Sequence, residues 1–323
     1  MCAWLVLSVL FCCAHAVHAA PPKQATADLP APRPRDEAFR RGVTLGPLVA
    51  PESPEAFKRV QAQRLSRAVA LGATDVRLLV RWTQTQLDAV ELAPFDSIDD
   101  ELLGWLIAAA RSRKLRVWLV PTVAVESPDG ERPAGSVAPT SWDRWWWSYR
   151  RFVLHYAQVA ALRKVPLLAV GNGLTSTEAD AERWRALIRD VRKRYQGELT
   201  YVASSDSFAK VGFWHDLDLV GVALAPGAAS SDAALAPLPA RIEQTEPTRE
   251  FVVCEAEHGV DEPDAGDVLR ARQAVYERFA DAPKLGGVFV NDIEPTSSPK
   301  GKKKVPLSPE AEVIRHWFLG SKH

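Results

Sequence analysis

Cysteine is scarce in this chain and badly placed for pairing. Of its 4 Cys, Cys2, Cys12 and Cys13 lie in the first twenty residues, which leaves Cys254 as the sole thiol of the body. A single thiol closes no internal disulfide, so a stapled small-domain architecture is excluded and the fold must be held by its core. An excess of either charge is also missing: 40 Lys+Arg stand against 40 Asp+Glu. That balance excludes a polycationic nucleic-acid binder and a charged disordered tail. The chain has no His-x-His and no His-Glu-x-x-His, so neither a dedicated metal site nor a cofactor is expected. It has no Gly-x-Ser-x-Gly elbow for a serine hydrolase. Gly171-Asn172-Gly173 begins like a dinucleotide loop, but Ser176 occupies the third glycine position.

What is present starts with an apolar run from Trp4 to Cys13, too short to span a bilayer, followed by Ala14-His15-Ala16-Val17-His18-Ala19. This pattern predicts a secretory signal over residues 1–19, cut after Ala19, with no stable membrane insertion afterwards. Residues 20–41 carry Pro21, Pro22, Pro30, Pro32 and Pro34 among polar residues and read as an extended linker. A tail of 321–323 follows the main domain, expected over residues 42–320 as a monomer secreted or held in a periplasm.

Within that domain, strand-like apolar runs alternate with amphipathic segments. The runs are Val43 to Val49, Asp75 to Trp82, Arg116 to Val125, Pro166 to Val170, Leu199 to Ala203, Leu217 to Leu224, Phe251 to Cys254 and Gly287 to Val290. Continuous apolar runs mark strands buried on both faces. Eight of them with helical connections predict an α/β fold, a single-domain (β/α)8 TIM barrel, ahead of an open doubly wound sheet. Helix starts are expected at Ser53-Pro54-Glu55, at Ser97 with Asp100, at Thr175 with Glu178, and at Ser308-Pro309-Glu310. Trp145-Trp146-Trp147 is expected to pack on a helix instead of forming a ligand platform.

Functional groups of such a barrel sit at the C-terminal ends of its strands. The binding candidates there are Arg77, Arg81, Asn172, Asp206, Asn291 and Asp292, and Asn172 and Asn291 are the only asparagines in the chain. Glu255 and Glu257 share parity on the seventh strand and are expected to point inward above Val253. Cys254 would then face the helices, and Arg77 is expected to neutralise Glu255. Paired carboxylates suit glycosidic cleavage, one as acid/base and one as nucleophile, about 5 to 5.5 Å apart for retention of configuration.

Arg41-Gly42-Val43-Thr44-Leu45-Gly46, Gly72-Ala73-Thr74-Asp75-Val76-Arg77-Leu78, Leu115 to Pro121, Trp147-Ser148-Tyr149, His155-Tyr156-Ala157, Val170 to Leu174 and Val253-Cys254-Glu255 occur in an order that resembles the clan-A glycoside hydrolases. The nearest resemblance is to the family 113 β-mannanase-like group. It implies Glu255 as nucleophile and places the acid/base at Gly173, where the family carries Glu. It also implies a His where Thr122 stands, and aromatic residues after the sixth and eighth strands, where this chain has Ala223-Leu224-Ala225-Pro226 and Phe289-Val290-Asn291-Asp292. Glycine donates no proton, so the resemblance points to a degenerate barrel that binds a neutral glycan or acts as a structural partner. The alternative is an active retaining glycosidase with a relocated acid/base, for which Glu257 ranks ahead of Glu126, Asp206 and Glu178.

Overall fold

The structure is a computed structural model that describes residues 38–224, 235–255, 274–275, 277–279, 281–291 and 309–319. The expected signal, most of the linker, the tail, Glu257 and Asp292 lie outside the described residues.

Eight parallel strands close on themselves: β1 (Arg40–Leu48), β2 (Asp75–Gln84), β3 (Arg116–Val125), β4 (Leu167–Asn172), β5 (Glu198–Ser204), β6 (Leu219–Leu224), β7 (Glu250–Glu255) and β8 (Leu285–Asn291). Each pairs with the next in sequence, and β1 pairs with β8, so no sheet edge is left open. Among the described residues the named helices are α1 (Pro54–Leu71), α2 (Asp100–Ser112), α3 (Trp142–Leu162), α4 (Ala181–Arg192), α5 (Leu238–Thr245) and α6 (Pro309–Leu319), and residues 274–275 and 277–279 between β7 and β8 are also helical. Two short 3-10 turns, Phe208–Lys210 and Trp214–Asp216, replace a helix between β5 and β6. This is the TIM barrel that the pattern of runs predicts. β1 begins at Arg40, inside the expected linker, because Arg40 pairs with Gly287 and completes the closure.

Alternation along each strand divides the core into two layers. Leu79, Trp118, Val120, Leu167, Ala169, Val202, Leu219, Val252, Cys254 and Phe289 fill the barrel, with Trp118 and Phe289 edge to face at 4.7 Å. Val76, Leu78, Val117, Leu119, Tyr201, Phe251 and Val253 face the helices. Here the expected parity of β7 is reversed: Cys254 points into the barrel and Val253 points out. Phe251 packs against Phe279 in the helix layer, with centroids 6.1 Å apart. That large ring fixes which face of β7 turns outward, and the small thiol takes the crowded interior beside Trp118 and Phe289. Burial pushes the Cys254 thiol up to about 11, which keeps it protonated and unreactive.

Helix starts follow capping chemistry, in two places with a different residue from the one expected. Ser53 Oγ accepts from the Ala56 N–H as expected, with Pro54 opening α1. For α2 the cap is Asp99, whose Oδ1 accepts from Leu102 N–H at 2.8 Å; Ser97 instead donates to the Arg81 carbonyl. For α4 the cap is Asp180, which accepts from Arg183 N–H at 3.3 Å, so Glu178 has no capping duty.

The tryptophans of α3 pack as predicted. Trp145 is fully buried, lies parallel to Tyr149 at 4.9 Å and donates through Nε1 to Gln84 Oε1 at 2.7 Å. Trp146 is buried against Trp184, whereas Trp147 is exposed under Arg151.

Candidate active site at the mouth of the barrel

The mouth is built around a bulge in β4. Ala169 points inward and Val170 outward, and the pairing with β5 shifts register between Ala169 and Asn172. Gly171 permits this: a Cβ there would meet Trp184 at 2.7 Å, the Tyr149 hydroxyl at 2.8 Å and Tyr201 at 2.9 Å. Only glycine lets the aromatic layer close over the bulge, which brings Asn172 back to the inner side. There Asn172 Oδ1 accepts from Arg77 Nη2 at 3.2 Å.

Arg77 is buried to 1% exposure, with its guanidinium over the Trp118 ring at 5.3 Å. Among the described residues, Nε and Nη1 have no hydrogen-bond partner. The expected pairing with Glu255 is therefore replaced by a neutral partner, Asn172. β1 to β3 are in register here, with Thr44 beside Arg77 and Arg77 beside Trp118.

Glu255 ends β7, half-buried, and its Oε2 accepts from the Asn291 backbone N–H at 2.7 Å. Asn291 ends β8 and pairs with Thr44. Glu255 and Asn291 thus meet at one rim of the mouth, and Asn172 and Arg77 meet between β4 and β2. β7 is described as far as Glu255, and Glu257, expected to share its parity, lies outside the described residues.

Gly173 follows the bulge with φ +65°, in the left-handed region that favours glycine, and a Cβ built on it would find no heavy atom within 4 Å. Its N–H donates to the Val202 carbonyl at 2.8 Å, and its carbonyl accepts from Thr175 N–H at 3.0 Å. The loop beyond it turns toward the helices. Leu174 N–H donates to the Tyr201 hydroxyl at 2.9 Å, and that hydroxyl donates to Glu178 Oε1 at 3.0 Å. Ser207 donates to the same oxygen at 3.1 Å. Burial raises the Glu178 carboxyl above the usual range, and the Ser207 and Tyr201 hydrogen bonds offset this only in part.

The other candidates separate. Arg81, on the inward parity of β2, donates from Nε to Asp96 Oδ2 at 2.9 Å and from Nη1 to Glu131 at 3.1 Å, which bridges the loops after β2 and β3. Asp96 also accepts from Thr83 Oγ1 at 2.9 Å. Burial alone would raise its carboxyl, but the Arg81 and Thr83 hydrogen bonds outweigh it and hold Asp96 below the usual range. Asp96 and Glu131 escaped sequence reading because neither lies at a strand end or in a recognisable spacing. Asp206 is exposed in the turn after β5, Glu126 is exposed after β3, and Thr122 donates to the Val80 carbonyl at 3.2 Å. Among the described residues, no group of three or more His, Cys, Asp and Glu could hold a metal ion, and no helix is long and apolar enough to cross a membrane.

Solved structures share this architecture. A GH113 β-1,4-mannanase matches with a TM-score of 0.74 and 22% identity, over 87% of this chain and 99% of its own. The GH113 β-mannanase AaManA from Alicyclobacillus acidocaldarius, in complex with ManMIm, matches with a TM-score of 0.75 and 19% identity, over 88% of this chain and 98% of its own. A third, the β-glycosidase from Thermosphaera aggregans, matches at 9% identity with a TM-score of 0.59, over 88% of this chain and 96% of its own. At these identities the likeness is one of fold. No curated protein matches by sequence. The model of Glycoside Hydrolase Family 113 matches residues 51–260, more than half of the 323 residues. With the eight-stranded barrel and Glu255 at the end of β7, that match places the chain in a family: it belongs to glycoside hydrolase family 113.

Proposed function

We propose that this family 113 barrel is an exported protein that binds a neutral β-linked glycan at its C-terminal mouth without hydrolysing it. The observation that carries the reading is Gly173. Cleavage with retention needs a carboxylic acid to protonate the leaving oxygen and a carboxylate to attack the anomeric carbon. Glu255 supplies a carboxylate oriented by a backbone N–H. At Gly173 there is no side chain, and the position opens on free space. Glu178, five residues further along, has its carboxyl engaged by Tyr201 on the helix side of β5. Loss of a general acid alone costs about 10²- to 10⁴-fold in rate.

Export is proposed from the apolar run Trp4 to Cys13 and the small residues after it. A neutral ligand accords with the balanced charge of the chain and with the mannanases among its structural relatives. A second reading, a retaining β-glycosidase with a relocated acid, draws support from the orientation of Glu255.

Affinity electrophoresis through gels containing glucomannan, xylan or β-glucan tests the binding half. Retardation by at least one neutral polysaccharide is expected. Unretarded migration in all of them contradicts the proposal.

A further inference from the structure

The loop from β2 to α2 is fastened along nearly its whole length. Gln84 Nε2 donates to the carbonyls of Gln86 and Leu87 at 2.7 and 2.9 Å, and Leu92 N–H donates to Ser148 Oγ at 2.9 Å. Thr83 and Ala93 exchange both backbone hydrogen bonds, at 2.8 and 3.0 Å. Asp96 is gripped by Arg81 and Thr83, its carbonyl accepts from Ala50 N–H at 2.8 Å, and Ser97 bridges to Val49. Between these fixed points Phe95 projects at 72% exposure.

Its position is set by the barrel. Arg81 and Thr83 follow Arg77 and Leu79 on the inward parity of β2, and both hold Asp96, so the segment 94–97 lies on the mouth side of that strand. Val49, just past β1 and paired with Ser97 of the same segment, is an exposed apolar residue at 40%. Val49 stands at most roughly 17 Å of chain beyond Thr44, and Thr44 pairs with Asn291 on the rim that holds Glu255. Among the described residues Trp147 is the other exposed large aromatic, at 58%, and Arg151 of the same helix already stacks on it at 4.8 Å. Phe95 has no ring or cation partner among the described residues.

We infer that Phe95, with Val49, is a stacking platform for a pyranose ring of a glycan chain that runs up from the Glu255–Asn291 rim. The inference rests on the glycan-binding reading above. The C–H face of a hexopyranose is apolar and its edges carry hydroxyls, so a neutral ring is held by a flat aromatic face with polar groups around it. Asp96, which follows Phe95 in the chain, and Arg81, which is bonded to both Asp96 and Glu131, supply polar groups on the same loop cluster and are already held in place by one another. A rigid loop loses little conformational freedom on binding, so the contact appears as affinity. The platform stands on β1 and β2, whereas the aromatic positions implied by family resemblance follow the sixth and eighth strands.

Calorimetric titration with mannohexaose and with mannobiose tests it on wild type, Phe95→Ala and Phe95→Trp. The expected result is a roughly three- to tenfold weaker mannohexaose Kd in Phe95→Ala. Phe95→Trp is expected to keep wild-type affinity, and mannobiose binding is expected to be equal in all three. Wild-type binding of mannohexaose that Phe95→Ala leaves unchanged overturns the platform while the glycan-binding reading stands. A wild-type chain that binds neither sugar, nor any polysaccharide in the gels, overturns that reading and the platform with it.

Discussion

The carboxyl of Glu178 accepts a hydrogen bond from the Tyr201 hydroxyl at 3.0 Å, and Tyr201 belongs to the layer of side chains between barrel and helices. This pair decides what the loop after β4 can do. The carboxylate closest in sequence beyond Gly173 serves to brace that loop against β5, with the Leu174 N–H tied to the same hydroxyl. The consequences can be measured, beginning with the titration of Glu178.

Burial holds the Glu178 carboxyl above its ordinary value, so its contribution to stability is full below the ordinary glutamate range and is lost as pH rises through the raised folded-state value. Glu178→Gln mimics the protonated form and keeps an acceptor for Tyr201 and Ser207. Thermal melting across pH 4 to 9 is expected to show a steeper fall on the alkaline side for wild type than for Glu178→Gln. Parallel curves would remove Glu178 from the pH dependence.

Asp96 has the opposite sign. Its carboxyl is held below the ordinary range by Arg81 and Thr83, so its contribution is present above the ordinary aspartate range and is lost as pH falls through the lowered folded-state value. Asp96→Asn is expected to flatten the acid side of the melting curve. It is also expected to release the loop, seen as faster amide exchange in residues 93–97.

Arg77 carries a buried charge whose only hydrogen bond among the described residues goes to neutral Asn172. Replacing a poorly paired buried ion by an apolar residue of similar length is often neutral or stabilising. Arg77→Met is therefore expected to leave stability unchanged or raise it by up to about 2 kcal/mol in urea unfolding. A buried ion pair with Glu255 would give the opposite result, a loss of about 3 to 5 kcal/mol.

Trp145 and Trp147 differ by two positions on α3 and are expected to differ sharply in cost. Trp145→Ala removes a fully buried ring, its stacking on Tyr149 and its bond to Gln84, and should destabilise the fold by about 3 to 5 kcal/mol. Trp147→Ala removes an exposed ring and should cost less than about 1 kcal/mol. Urea midpoints of the two variants check this directly.

The barrel was legible because buried parallel strands announce themselves as apolar runs, and β2 to β8 lie on the runs that predict them. Strand ends are legible for the same reason, and they group Arg77, Asn172, Glu255 and Asn291 as candidates. Parity on β7 was not. It depends on Phe251 finding Phe279 across the helix layer, a contact between distant residues that no local pattern encodes. The duty of Glu178 is hidden for a related reason: Thr175-Ser176-Thr177-Glu178 has the spacing of a capping box, but Tyr201 and Ser207 take its carboxyl and Asp180 caps the helix. The grip of Arg81 on Asp96 and Glu131 joins three loops and strands, and that too is a tertiary fact.

The proposal that the chain binds a glycan without cleaving it rests on Gly173, which puts no carboxyl where the family resemblance places the acid/base. Its most direct test is chromatographic detection of products after prolonged incubation of the purified chain with mannohexaose, beside a Glu255→Gln control. The account predicts intact mannohexaose in both. Shorter mannosides released by wild type and absent with Glu255→Gln would contradict it, because a working acid would then have to stand somewhere other than position 173.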